Sequence, residues 1–153
     1  MNGGLPARLS LGEPVVAATA AETERLGESL AALLSERDVV YLEGDLGAGK
    51  TTFVRGVARG LGASDREVAS PTFALLHEYA AVGGVRLRHL DLYRLADDPR
   101  QLEVLGIPDA FEGAAVCVEW PRAGIDGLLP PTWEVRIEAM GDERRRIWLE
   151  RKG

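Results

Sequence analysis

In "YLEGDLGAGKTTFVRG", residues 41–56, four positions answer to a single requirement. Gly44, Gly49, Lys50 and Thr51 occupy every fixed place of G-x-x-x-x-G-K-[ST]. Glycines let a backbone wrap closely enough to aim successive N–H groups at phosphate oxygens. The lysine reaches the terminal phosphates, and the following hydroxyl ligates Mg²⁺. The loop therefore nominates Gly44, Asp45, Gly47, Ala48, Gly49, Lys50, Thr51 and Thr52 as phosphate-binding residues, with Thr51 also on the metal. The flanks fit that reading. "DVVYLEG" (38–44) is a nearly continuous apolar run suited to a strand covered on both faces. "KTTFVRGVARGLG" (50–62) places Phe53, Val54, Val57 and Leu61 on one helical face, with Gly62 as the stop. The helix adds its positive N-terminal end to the cradle.

Working outward, "TAAETERLGESLAALLSE" (19–36) opens with Thr19 and Glu22 at capping-box spacing, and Leu26, Leu30, Leu33 and Leu34 give an apolar stripe. "TFALLHEYA" (72–80) and "VRLRHLDLY" (85–93) are strand-like, and "VGG" between them suggests a hairpin. "DDPRQLEVLG" (97–106) carries a compact helix signal, with Asp98 as cap, Pro99 at the first position and Gly106 past the end. "AAVCVEW" (114–120) is a second buried-type strand, and "TWEVRIEAM" with "RRIWLER" suggests a closing hairpin around Gly141-Asp142. With no repeat or dividing linker, residues 1–153 read as one α/β domain: a mixed sheet flanked by helices, ending in a C-terminal β-hairpin.

Composition narrows the class. A net charge of −6 and only two lysines, Lys50 and Lys152, weigh against unaided grip on nucleic acid. The run Glu143–Arg146, "ERRR", reads as a solvated face rather than a binding patch. The lone Cys117 excludes an intramolecular disulfide and reads as a small core residue. No stretch has the length and apolarity of a membrane span, and no signal peptide is evident, so a cytoplasmic location is expected. His77 and His89 lack zinc-ligand spacing.

A phosphate cradle alone does not hydrolyse ATP; a carboxylate must hold Mg²⁺ and a group must orient water. Asp91 ends "RLRHLD" and Glu119 ends "AAVCVE". Ligands of open parallel sheets gather at such strand ends. Glu119 follows the more apolar strand, expected beside the cradle strand, and is assigned to the metal; Asp91 is assigned to water or to indirect support. The alternative for each is an ordinary strand-end carboxylate. Trp120 either borders the nucleotide or closes the core. Ser70–Thr72 reads either as a nucleotide-sensing switch or as a capped turn. No N-K-x-D guanine-reading string is present, which favours adenine. Three functions stay open on the residues alone: a hydrolysing switch, a small-molecule P-loop kinase, and a binding module that does not hydrolyse.

"YLEGDLGAGKTTFVRG", "SPTFALLHEY", "HLDLYRL", "LEVLGIPDAF" and "VEWP" follow one another in an order and spacing that resembles the bacterial TsaE (YjeE-type) family. The likeness covers almost the whole chain, weakest before Leu26 and after Pro131. It implies a P-loop fold and slow, Mg²⁺-dependent ATP hydrolysis as the ATPase component of tRNA threonylcarbamoyladenosine biosynthesis. It also implies work with the TsaB and TsaD proteins, through which tRNA is reached indirectly, in modifying adenosine 37 of tRNAs reading ANN codons. By position, the resemblance implies phosphate and Mg²⁺ roles for Lys50, Thr51 and Thr52, and functional acids at Asp91 and Glu119. It implies a tryptophan near the site at Trp120. Thr19 and Arg144 to Arg146 match regions that approach the nucleotide from both ends of the chain. Phe73 stands where some members carry tyrosine.

Overall fold

The computed structural model describes residues 8–45, 47–63, 76–79, 85–93, 113–121 and 125–152. In chain order its elements are β1 (Val15–Ala17), α1 (Ala20–Ala31), β2 (Val39–Glu43), α2 (Lys50–Gly60), β3 (Leu76–Tyr79) and β4 (Arg86–Asp91). They continue with β5 (Ala114–Glu119), α3 (Ile125–Leu128), β6 (Trp133–Ala139) and β7 (Arg145–Arg151). The expected helix at 97–106, the connection at 82–84, the Ser70–Thr72 segment and Phe73 lie outside the described residues.

One seven-stranded sheet has the order β1-β7-β6-β2-β5-β4-β3. β6, β2, β5 and β4 run parallel, while β7 and β3 add antiparallel to the two sides and β1 pairs antiparallel to β7. The mixed sheet, the β3–β4 pairing and the closing β6–β7 hairpin agree with the sequence reading.

The centre of the sheet follows from its apolar runs. Val39, Val40, Tyr41 and Leu42 of β2 and all six residues of β5 are buried. Alternate side chains serve opposite faces. Val40, Leu42, Ala115 and Cys117 pack towards the α1 and α2 cluster, with Leu26, Phe53, Val54 and Val57. Val39, Tyr41, Val116 and Val118 join a second cluster with Leu90, Ile125 and Leu129. Buried Tyr41 donates its hydroxyl to the Leu129 carbonyl at 2.6 Å, and burial, with Asp126 and Glu134 nearby, pushes its ionisation well above the usual phenol range. Burial does the same to the Cys117 thiol, which sits in the core.

α1 and α2 lie side by side on one face. Thr19 caps α1: its hydroxyl accepts the Glu22 N–H at 3.2 Å. The Glu22 carboxylate reaches back to the Ala18 N–H, one residue before the cap rather than the cap itself. Leu26, Leu30 and Leu34 are buried as the stripe requires, but Leu33 is 56% exposed. α1 ends at Ala31, so the helical spacing that placed Leu33 inward no longer applies. α2 stops where its glycine predicts. Gly62 takes a φ of 91°, its N–H donates to the Arg59 carbonyl at 3.0 Å, and Ala63 N–H donates to Ala58 at 2.9 Å, a Schellman ending.

The two helices touch backbone to backbone. A Cβ on Gly56 would lie 1.9 Å from the Glu24 carbonyl oxygen, and one on Gly27 would lie 2.2 Å from that of Phe53. Glu24 flanks this contact, pairing with Arg55 at 3.4 Å and Arg59 at 2.6 Å. The close crossing fixes α2, and with it the loop that α2 terminates.

Candidate functional site

β2 ends at Glu43, and the chain turns at once into the glycine loop, where Ala48 N–H donates to the Asp45 carbonyl at 3.0 Å. Gly49 is the N-cap of α2 with a φ of 103°, a conformation that side-chain-bearing residues rarely adopt. It supplies no side-chain cap, and the N–H groups of the first turn point out of the start of the helix, where an anion can meet them. They open on a cavity of about 290 Å³ lined by Gly47, Ala48, Gly49, Lys50, Thr51, Thr52, Asp91, Tyr93, Glu119, Trp120 and Arg145.

Strand register delivers the carboxylates. β2 and β5 pair Leu42 with Glu119, and β4 and β5 pair Asp91 with Glu119. Both acids therefore leave the sheet at its carboxyl edge beside the loop. Glu119 is 3% exposed. Its Oε2 accepts from the Thr51 hydroxyl at 3.4 Å and contacts Nε2 of the fully buried His89. Asp91 Oδ1 accepts the Tyr93 N–H at 3.0 Å, which turns the chain at the end of β4.

Lys50 is folded against the loop itself. Its ammonium donates to the Gly44 carbonyl and, at 3.3 Å, to that of Asp45, and lies 3.7 Å from the centre of the Trp120 ring. Burial lowers its pKa, while the carboxylates of Glu119, Asp91 and Asp45 pull in the opposite direction. Trp120 has a left-handed φ of 58° immediately after Glu119, and its ring packs on Tyr93 at 4.9 Å. That backbone geometry costs a non-glycine residue about 1–2 kcal/mol. It sets an aromatic wall over the lysine.

Thr51 and Glu119 are hard oxygen donors of the kind Mg²⁺ takes. Among the described residues no group of three or more His, Cys, Asp or Glu could hold an ion unaided. Mg²⁺ suits that arrangement, since it commonly uses one or two protein ligands and completes its shell with phosphate and water.

Comparison with known proteins gives this site its lineage. The family model described as "Threonylcarbamoyl adenosine biosynthesis protein TsaE" matches residues 17–147. The chain belongs to the TsaE family. It is 42% identical over 127 residues to the tRNA threonylcarbamoyladenosine biosynthesis protein TsaE of Bacillus subtilis, covering 82% of this chain and 77% of that one. The Haemophilus influenzae protein of the same name is 46% identical over 109 residues, covering 70% of this chain and 66% of its own. The crystal structure of Bacillus subtilis YdiB superposes with a TM-score of 0.66 at 31% identity, covering 92% of this chain and 86% of YdiB. The P-loop NTPase fold expected from the sequence is thus that of a solved relative.

Within this TsaE-family frame the expected residues fall into two groups. Gly47 to Thr52, Asp91, Glu119 and Trp120 line the cavity. Gly44 and Asp45 stand behind it, where their carbonyls hold Lys50. Thr19 is placed differently: its hydroxyl serves the cap of α1. Its neighbours Ala20 and Thr23 line a smaller cavity of about 50 Å³ with Gly49, Thr52, Glu143 and Arg145.

Two contributors were given no site role from sequence, and a third only as part of a run. Tyr93 was read as the end of a strand and His89 as lacking zinc-ligand spacing; both also stand in the "HLDLYRL" stretch of the resemblance, where no role was given to either. Arg145 was read by its residue pattern as part of a solvated run and by resemblance as part of a region, Arg144 to Arg146, that approaches the nucleotide; its guanidinium donates to the Gly47 carbonyl at 3.2 Å. A signal for it exists. Ile147 and Leu149 are buried on the helix side of β7, and counting back by two puts Arg145 on the same side. Its neighbours pair outward, Arg144 with Asp142 and Arg146 with Glu138.

Proposed function

We propose that this chain is a Mg²⁺-dependent ATPase that serves as a partner-dependent switch in forming the threonylcarbamoyl group on adenosine 37 of tRNAs reading ANN codons. One observation carries the reading: a complete phosphate cradle shares its cavity with Thr51 and Glu119, 3.4 Å apart, in a TsaE-family chain. The names of its relatives support the pathway, and the family resemblance supports TsaB and TsaD as partners that would bring tRNA to it.

In this reading the N–H groups from Gly47 to Thr52 and the Lys50 ammonium bind the ATP phosphates. To do so Lys50 exchanges its carbonyl partners for phosphate oxygens. Thr51 and Glu119 would hold Mg²⁺, which would supply positive charge to offset the charge that develops on the phosphates. Asp91 orients water at the same edge, and Trp120 and Tyr93 limit access of solvent from one side.

Replacing either carboxylate by its amide tests the division of labour. Glu119→Gln is expected to slow hydrolysis by about a hundredfold or more, with ATP affinity changed far less, because the loop still holds the phosphates. Single-turnover hydrolysis alongside calorimetric titration reads both quantities. A silent Glu119→Gln beside an inactive Asp91→Asn would reverse the two assignments. Rapid transfer of phosphate to a small metabolite would favour the kinase alternative.

A further inference from the structure

His89 belongs neither to the phosphate cradle nor to the lining of its cavity, yet it contacts the metal-side carboxylate directly. It is fully buried near the end of β4, two residues before Asp91 and opposite Cys117 in the β4–β5 register. Nε2 contacts Glu119 Oε2, the same oxygen that the Thr51 hydroxyl approaches at 3.4 Å. Among the described residues Nδ1 has no hydrogen-bond partner, and on one side the ring faces Tyr79, with centroids 6.5 Å apart.

These facts fix what the imidazole does. A carboxylate that is to serve a metal only accepts, so Nε2 is assigned as the donor of the contact. In the neutral ring Nδ1 is then a bare lone pair, which is a milder burial than an orphaned N–H. Of the two polar ring atoms, the one with a partner among the described residues is the one that meets Glu119. A glutamate has three rotatable bonds, and among the described residues the Glu119 carboxylate meets two hydrogen-bonding partners, His89 and Thr51. Thr51 is itself a candidate metal ligand and cannot also be the fixed reference for the carboxylate.

We infer that His89 is a positioning residue, whose Nε2–H sets the rotation of the Glu119 carboxylate so that it meets Mg²⁺ together with Thr51. The inference rests on the proposed nucleotide site and adds to it a residue that touches neither nucleotide nor metal. Hydrogen-bonded supports of this type are generally worth about 10- to 100-fold in metal affinity.

The test compares H89Q, H89N and H89L with the parent chain. A glutamine amide reaches about as far as Nε2, an asparagine amide stops about one bond short, and leucine keeps the burial without a donor. Calorimetry would give the affinity for a non-hydrolysable ATP analogue in EDTA and again at saturating Mg²⁺, with melting curves to establish folding. The expected result is unchanged affinity in EDTA for every variant, with the gain produced by Mg²⁺ reduced about tenfold or more in H89N and H89L and largely restored in H89Q. Equal gains in H89Q and H89N overturn the inference, as does a loss of affinity that is already complete in EDTA. These two polar variants decide the matter even where H89L does not fold. No Mg²⁺-dependent gain in the parent chain overturns the nucleotide-site reading and this inference with it. A full gain in the parent and in all folded variants overturns the inference alone.

Discussion

Lys50→Ala is expected to weaken binding of ATP with Mg²⁺ by about a hundredfold or more while leaving the chain folded. Among the described residues the ammonium is the one buried cation lining the cradle, at 5% exposure, and would supply charge-assisted bonds to the terminal phosphates. Such bonds contribute about 1.5–3 kcal/mol each, and about 1.4 kcal/mol is tenfold in affinity. Folding should survive because burial already disfavours the charged amine, as the direction of its pKa shift records. The carbonyls of Gly44 and Asp45 lose a donor, but they lie beside an open cavity that water can enter. Calorimetric titration of both proteins checks the result. An affinity within about threefold of the parent would remove Lys50 from the site.

The second large effect is on stability. Gly56→Ala is expected to lower the unfolding free energy by about 3 kcal/mol or more, at or beyond the top of the usual overpacking range. The added carbon would meet the Glu24 carbonyl oxygen at 1.9 Å, its carbon at 2.7 Å and the Glu24 Cα at 2.9 Å. All three atoms are backbone, so no side-chain rotation relieves the clash, and α1 and α2 must separate. Alanine's better helix propensity returns only about 1 kcal/mol. For a chain of this size the loss corresponds to a melting point lower by roughly 6–12 °C. Gly127→Ala, where nothing lies within 4 Å of the new carbon, is the matched control. Equal melting points for the two variants would mean that the helices are not in backbone contact.

What the sequence disclosed, and what it withheld, divides by range. The cradle from Gly44 to Thr52 was legible because its chemistry is packed into nine consecutive residues. β2 and β5 were legible because unbroken apolar runs have few other uses, and that same apolarity placed Glu119 beside the cradle strand. The Schellman ending at Gly62 is likewise a local signal. Leu33 was misread because the helical period was carried past the end of α1 at Ala31. His89 could not be tied to Glu119 without the β4–β5 register, since the two lie 30 positions apart. Arg145 was hidden by its neighbours: three successive arginines look alike until the strand phase set by Ile147 says which one turns inward. Thr19 was legible as a cap, and that is the role its hydroxyl performs.

The most direct test of the central claim is the rate of ATP hydrolysis by the purified chain, first alone and then with TsaB, TsaD and tRNA. Turnover alone should fall well below the common enzymatic range of about 1–1000 per second, and the partners should raise it. Fast hydrolysis by the isolated chain, or one slow rate in both conditions, would contradict a switch that is driven by its partners.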